Sequence, residues 1–176
     1  EQDGVTKTFF IDSTMKDKAN ALKQGDIISI STDYSGKTVI DITKMFDAET
    51  RTFESYSTFT DPNRYWYRGT PPTESTYGGL GGWRVDYPQL AKGYAKTVKG
   101  SMVSIAYTLA DARDGKSVMP KGGVPVTIVD KNETRKDKIY SGNINDIKSY
   151  DLFGEDCSFV VYCAYSGRVR EIIVYK

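Results

Sequence analysis

A chain of 176 residues and 19.7 kDa, 39% hydrophobic and 27% charged, is long enough to bury a core as one domain of ordinary size. Its 24 basic and 23 acidic residues are scattered and nearly cancel, which leaves no electrostatic footprint for nucleic acid or anionic lipid, and no apolar run approaches the ~20 residues of a membrane span. Histidine is absent, which excludes Ser-His-Asp and Cys-His nucleophile activation and His-based zinc sites together.

The chain opens on Glu1 rather than Met and so reads as a processed product or an excised domain. Thirteen Tyr with abundant Ser, Thr and Gly, against four Met and two Cys, give it the composition of an extracellular or virion surface protein. The first predicted strand is "TFFID". In "STMKDKANALKQG", Thr14 and Asp17 have capping-box spacing, Met15, Ala19 and Leu22 share a helical face, and Gly25 is a terminator. Those signals predict one short helix near residues 14–24. Ile28 and Ile30 then alternate with Ser29 and Ser31, "DYSGK" places Gly36 where a hairpin loop needs positive φ, and "TVIDITKMF" returns as the second strand of a β-hairpin.

Residues 51–94 break this periodicity. The 44 residues hold 10 of the 22 aromatics, both Trp and four of the six Pro. A connection of that length in a compact domain is usually functional, and its aromatic density argues against disorder. "RYWYRG" sets Tyr65, Trp66 and Tyr67 before Arg68, and "GGWRVDYP" offers Trp83, Arg84, Asp86 and Tyr87 on a Gly-rich frame. Rings beside guanidinium groups suit a protein interface or the face of a sugar, and they equally suit packing of the insert on its own domain.

Beyond the insert, "GYAKTVKGSMVSIAYTLAD" predicts one long strand with Val103, Ile105, Tyr107 and Leu109 alternating, and "DARDGKSVMPKGG" predicts a turn into the strand "VPVTIVD". "DKNETRKDKIYSGNINDIKSYD" is a polar connector with one helical turn at "NINDI". The closing hairpin repeats the first: "SFVVYCA", a loop with Gly167, and "VREIIVY". Its strands are more continuously apolar, which predicts the more central position. "TFFID" precedes the first hairpin and "VTIVD" precedes the second across a longer connector, so each half reads as strand, connector, strand, turn, strand.

The expected fold is therefore mainly β: a duplicated hairpin unit forming one or two small barrels, or a sandwich, with one short helix and a long aromatic insert. Residues 1–50 form the first unit, 51–94 the insert and 95–176 the second unit, all in one compact domain.

The remaining chemistry is sparse. Cys157 and Cys163 fall in "CSFVVYC", read as one strand, where six residues at ~3.3 Å each set them about 20 Å apart, too far for a disulfide. They read as small buried hydrophobes on one face. The acids of "DAE" (47–49) and "EDC" (155–157) read as solvated strand ends rather than a glycosidase pair. "GGLGG" at 78–82 lacks both the dinucleotide and the Walker patterns. Calcium is the one metal that "DARDG" and "DKNE" suggest, but Thr134 stands where the calcium-loop pattern needs an acid or amide. Asn132 opens a glycosylation sequon, "NET". No catalytic residue, metal ligand or cofactor is assigned.

"LKQGDIISISTDYSGKTVIDITKMFDAET" and "DCSFVVYCAYSGRVREIIVYK" resemble C-terminal β-rich modules of bacterial surface proteins that carry S-layer homology repeats. In that pattern a Lys-Gly-Asp-Ile-Ile strand leads to Gly-Lys and a Phe-Asp ending, with "KGSMVSI" fitting a middle strand and "VREIIVY" the last. The resemblance touches most of the chain outside the insert and brings no catalytic residues. It implies an extracellular, non-enzymatic module. The expected function is self-assembly or protein binding in an S-layer, filament or coat, through the insert and through the strands at "VTKTFFID" and "REIIVYK". A carbohydrate-binding module using Trp66, Trp83 and nearby Tyr is the alternative class, and an enzyme with a carboxylate pair the third.

Overall fold

The computed structural model describes residues 5–54, 64–66, 88–115, 123–134, 138–165 and 168–176. The protein is mainly β, built on two mixed sheets. In the first unit β1 (Phe10–Ile11) leads through a 3-10 turn (Ser13–Met15) and α1 (Lys16–Asn20) to the hairpin β2 (Ile27–Thr32) and β3 (Thr38–Asp47), and β4 (Thr52–Phe53) follows. The expected short helix is present, but its cap is not the Thr14/Asp17 pair. Asp12 accepts from the Thr14 backbone N–H at 2.9 Å and from its hydroxyl at 2.6 Å, the short acceptor geometry that favours Asp at such starts.

The second sheet contains β5 (Arg64–Trp66), β6 (Pro88–Lys99), β7 (Met102–Ala106), β8 (Val126–Val129), β9 (Ile139–Gly142), β10 (Phe159–Tyr165) and β11 (Arg168–Tyr175). Its order is β5-β6-β10-β11-β8-β9, with β7 also paired to β6. Two short helices, α2 (Leu109–Asp114) and α3 (Tyr150–Phe153), lie in the connections. Among the described residues neither sheet closes into a barrel.

The duplication read from the sequence is present in the topology. β1 runs parallel to β3 with β2 on the other side, and β8 runs parallel to β11 with β10 on the other side. The hairpins also share their register. Ile28, Ser29, Ile30 and Ser31 lie opposite Lys44, Thr43, Ile42 and Asp41, while Phe159, Val160, Val161 and Tyr162 lie opposite Tyr175, Val174, Ile173 and Ile172. A bulge interrupts each ladder just before the turn, after Ser31 in one and after Cys163 in the other. The parallel strands sit at different heights. β4 covers β3 at Phe46 and Asp47, so β1 pairs at Thr38 and Val39, whereas β8 pairs along Ile172–Tyr175.

The second hairpin is the central one, as its apolarity predicts. β10 lies between β6 and β11, with Val160 and Val161 both fully buried, so both faces of the strand are covered. One face packs Ala91, Val103, Ile105, Ile128, Tyr162 and Val174 into a cluster, closed by the Tyr162 hydroxyl donating to the Val103 carbonyl at 2.7 Å. The opposite face packs Leu90, Val129, Phe159, Val161 and Tyr175 against Met45 and Phe46 of the first unit.

Three readings of the sequence are corrected. The long strand predicted through "GYAKTVKGSMVSIAYTLAD" is two antiparallel strands, β6 and β7, with Lys99 opposite Met102. β7 can fold back this closely because Gly93 has no side chain: a Cβ there would lie 2.2 Å from the Ala106 carbonyl oxygen. "LADARD", read as strand end and turn, is α2, started by Thr108, whose hydroxyl accepts from the Asp111 N–H. Finally, "REIIVY" is no free edge. β11 is flanked by β10 and β8, because a parallel strand entering from "VTIVD" covers its outer side. β6 also begins at Pro88, inside the stretch read as insert.

The two units meet at Gly25. Its φ of +97° is in the left-handed region, and a Cβ would lie 2.8 Å from Val129 Cγ1 and 3.1 Å from Ala48 Cβ. Its carbonyl accepts from the Tyr175 hydroxyl at 2.9 Å, a buried bond that also raises no conflict with charge, because burial holds that phenol far above its ordinary pKa. Gly25→Ala is expected to destabilise the fold by at least ~2 kcal/mol, and Tyr175→Phe by about 1–2 kcal/mol. Urea midpoints at constant m-value would measure both.

Candidate functional site

The structure brings part of the aromatic insert to one end of the seven-stranded sheet. β5 lies antiparallel on the outer edge of β6, with Arg64 opposite Ala91, Tyr65 opposite Leu90 and Trp66 opposite Gln89. Tyr67, Arg68, Trp83, Arg84, Asp86 and Tyr87 lie outside the described residues.

A second feature, unpicked from the sequence, lies between the sheets. A cleft of about 640 Å³ opens between the first unit and the face of β10 and β11, within the usual range for a ligand cavity. Ile30, Val39, Ile42 and Met45 line one wall, and Leu90 and Ile173 the other. Its polar floor is Glu171, only 6% exposed, whose carboxylate accepts from the Thr127 hydroxyl. Cys163 stands directly opposite Glu171 across the β10–β11 ladder. This arrangement offers a hydrogen-bonding carboxylate at the base of an apolar slot. The signal in the sequence was the lone acid in "VREIIVY", at a position that shares its face of the strand with Ile173 and Tyr175.

Three of the other acids weighed in the sequence, Asp47, Glu49 and Glu155, are engaged in ion pairs. Glu155 meets the Arg113 guanidinium at 3.0 Å, and Glu49 meets Lys23. Lys44 gathers three carboxylates at 2.7 Å (Asp47), 3.3 Å (Glu54) and 3.8 Å (Asp26). The Asp26 side chain is almost wholly buried and accepts from the Ala48 and Lys23 N–H groups at 2.9 Å each. Among the described residues no group of three or more His, Cys, Asp or Glu could hold a metal ion. "DARDG", one of the two calcium candidates, is occupied by α2. Cys157 precedes β10 rather than sharing it, and the two cysteines are not joined. No described helix is long and apolar enough to cross a membrane.

No protein family, characterised protein or solved structure matches the chain. What the fold defines is a class by architecture: a mainly β protein of two sheets grown from one repeated hairpin unit.

The Lys44 cluster sets a pH window. Lys44, then the Thr50 N–H, hold the Asp47 carboxyl far below its ordinary value near 3.8, while Asp47, with smaller help from Glu54 and Asp26, raises Lys44 well above 10.5. A depressed carboxyl contributes stability above its unfolded pKa and loses it as pH falls; a raised amine contributes below its unfolded pKa and loses it as pH rises. The cluster's contribution, on the order of 1 kcal/mol for pairs whose ammonium keeps contact with water, is thus full from about pH 5 to 9 and declines below pH 4. Asp47→Asn is expected to lower the urea midpoint at pH 7 and to narrow its gap to wild type at pH 3.

Proposed function

We propose that the chain is a non-catalytic, extracellular surface module that assembles with copies of itself or with protein partners, in an array of the S-layer, filament or coat kind. One observation carries this reading. Of the nine large apolar side chains exposed among the described residues, six belong to the first unit: Val5, Phe10, Ile11, Ile28, Tyr34 and Ile40. Phe10, at 73% exposure, and Ile11 sit on β1 at one end of a sheet. Apolar surface concentrated on the smaller first unit, against three such side chains (Met102, Leu152 and Phe153) on the larger second unit, supports an interaction surface there. The aromatic run entering β5 adds residue types that dominate binding energy at such surfaces, and the Tyr-, Ser- and Thr-rich composition supports an extracellular setting.

Sedimentation or light scattering across a wide concentration range tests this for wild type and for Trp66→Ala combined with Trp83→Ala. Mass that grows with concentration, and grows less in the double variant, is the expected result. A monomer at every concentration overturns homotypic assembly, and binding to a glycan array by that monomer, lost in the double variant, would make the chain a carbohydrate-binding module instead.

A further inference from the structure

The internal repeat shows what the first unit lacks. In the second unit β10 is covered on both edges, by β11 on one side and by β6 on the other. The β6 pairing is antiparallel, with Phe159 opposite Tyr94, Val160 opposite Gly93 and Val161 opposite Lys92. β2 is the counterpart of β10, and the shared register sets Ile28, Ser29 and Ile30 where Phe159, Val160 and Val161 stand. Yet β2 ends its sheet: among the described residues it pairs with β3 alone.

We infer that the outer edge of β2 takes an antiparallel strand where β6 covers β10, and that this strand is β2 of a second copy. The inference rests on the self-assembly reading and gives it a site, an orientation and a register. The edge is unguarded. Ile27–Thr32 reads Ile-Ile-Ser-Ile-Ser-Thr, with no charge, no Pro and no Gly among its six residues, whereas protected edges carry such residues. An antiparallel pair of identical strands is related by a two-fold axis, so each copy covers the other's edge and the contact closes on itself.

Side-chain pattern fixes the register. With Ser29 opposite the partner's Ser29, Ile28 faces the partner's Ile30 on one side of the joined sheet, while on the other the two Ser29 meet and Ile27 faces the partner's Ser31. A slip of one residue sets Ser29 opposite an isoleucine of the partner and is incompatible with the two-fold axis, because opposed residues share a face of the sheet whereas neighbours along a strand do not. Ile28, 37% exposed in the single chain, becomes covered, and the apolar walls of the two clefts, which β2 helps to form, become continuous.

The test uses the full chain in sedimentation velocity, as wild type, Ser29→Lys, Ser29→Glu and an equal mixture of the two variants, with urea midpoints to establish that each variant is folded. Each substitution puts a charge opposite its own copy on the two-fold axis, so each alone is expected to weaken dimerisation at least tenfold. The mixture is expected to restore it, a recovery that a folding defect cannot produce. Trp66→Ala with Trp83→Ala should leave the dimer and remove only larger species. Assembly of both single variants at wild-type strength would overturn the β2 interface while leaving self-assembly by another surface standing. Weakened variants whose mixture stays monomeric would overturn the pairing of Ser29 with itself. Wild type that is monomeric throughout would overturn this inference and homotypic assembly together.

Discussion

The placement of the two sheets depends on one buried hydrogen bond, from the Tyr175 hydroxyl to the Gly25 carbonyl. Around it the aromatic cluster is continuous: the Phe46 ring lies 5.3 Å from Tyr175, 5.7 Å from Phe53 and 6.5 Å from Phe159. Arg51, at φ 56°, turns the chain from β3 to β4 and sets its guanidinium 5.0 Å from the centre of the Phe159 ring. Lys92 donates to the Arg51 carbonyl at 2.8 Å, tying β6 to the same corner. All these contacts lie at one end of the first hairpin. The other end, toward Ile30 and Val39, stands away from the second sheet, and the cleft is the space left between them.

That one-ended attachment explains why equivalent hairpins behave differently. β10 and β11 are wedged between neighbours and carry Val, Ile and Tyr on both faces. β2 alternates Ile with Ser and carries no fully buried residue. The asymmetry is therefore written in composition as well as in topology, and the proposed assembly draws on the half whose surfaces are incomplete.

Much of this was legible in the sequence where a short-range rule applies. The two hairpins, the turn at Gly36 and the greater burial of the second hairpin follow from period-2 alternation and glycine placement, while Gly167 lies outside the described residues. Elsewhere the determinant lies far along the chain. Nothing local distinguishes one long strand from β6 and β7, because the fold-back depends on Gly93 meeting Ala106 across the sheet. α2 was missed because Leu109 continued the alternation of β7, and only the Thr108 cap reveals the change. Asp12 supplanted Thr14 as a cap because both side chains are suited to it, and the 3-10 turn begins one residue earlier than the helix pattern. "REIIVY" looked like a terminal edge because sequence order says nothing about a parallel neighbour arriving from β8. Of the candidate site, only the Arg64–Trp66 segment could be placed, while the cleft required the tertiary pairing of Thr127 with Glu171.

The Tyr175–Gly25 bond also has a direction in time. Its partners are separated by 150 positions, and a chain made from its N-terminus presents Gly25 long before Tyr175 exists. Through that interval the first hairpin has its local partners but no anchor, with its apolar face and the edge of β2 both accessible. β11 is thus a late clasp: adding its last aromatic residue converts a nascent, unanchored hairpin into a held surface on which the edge of β2 is still open.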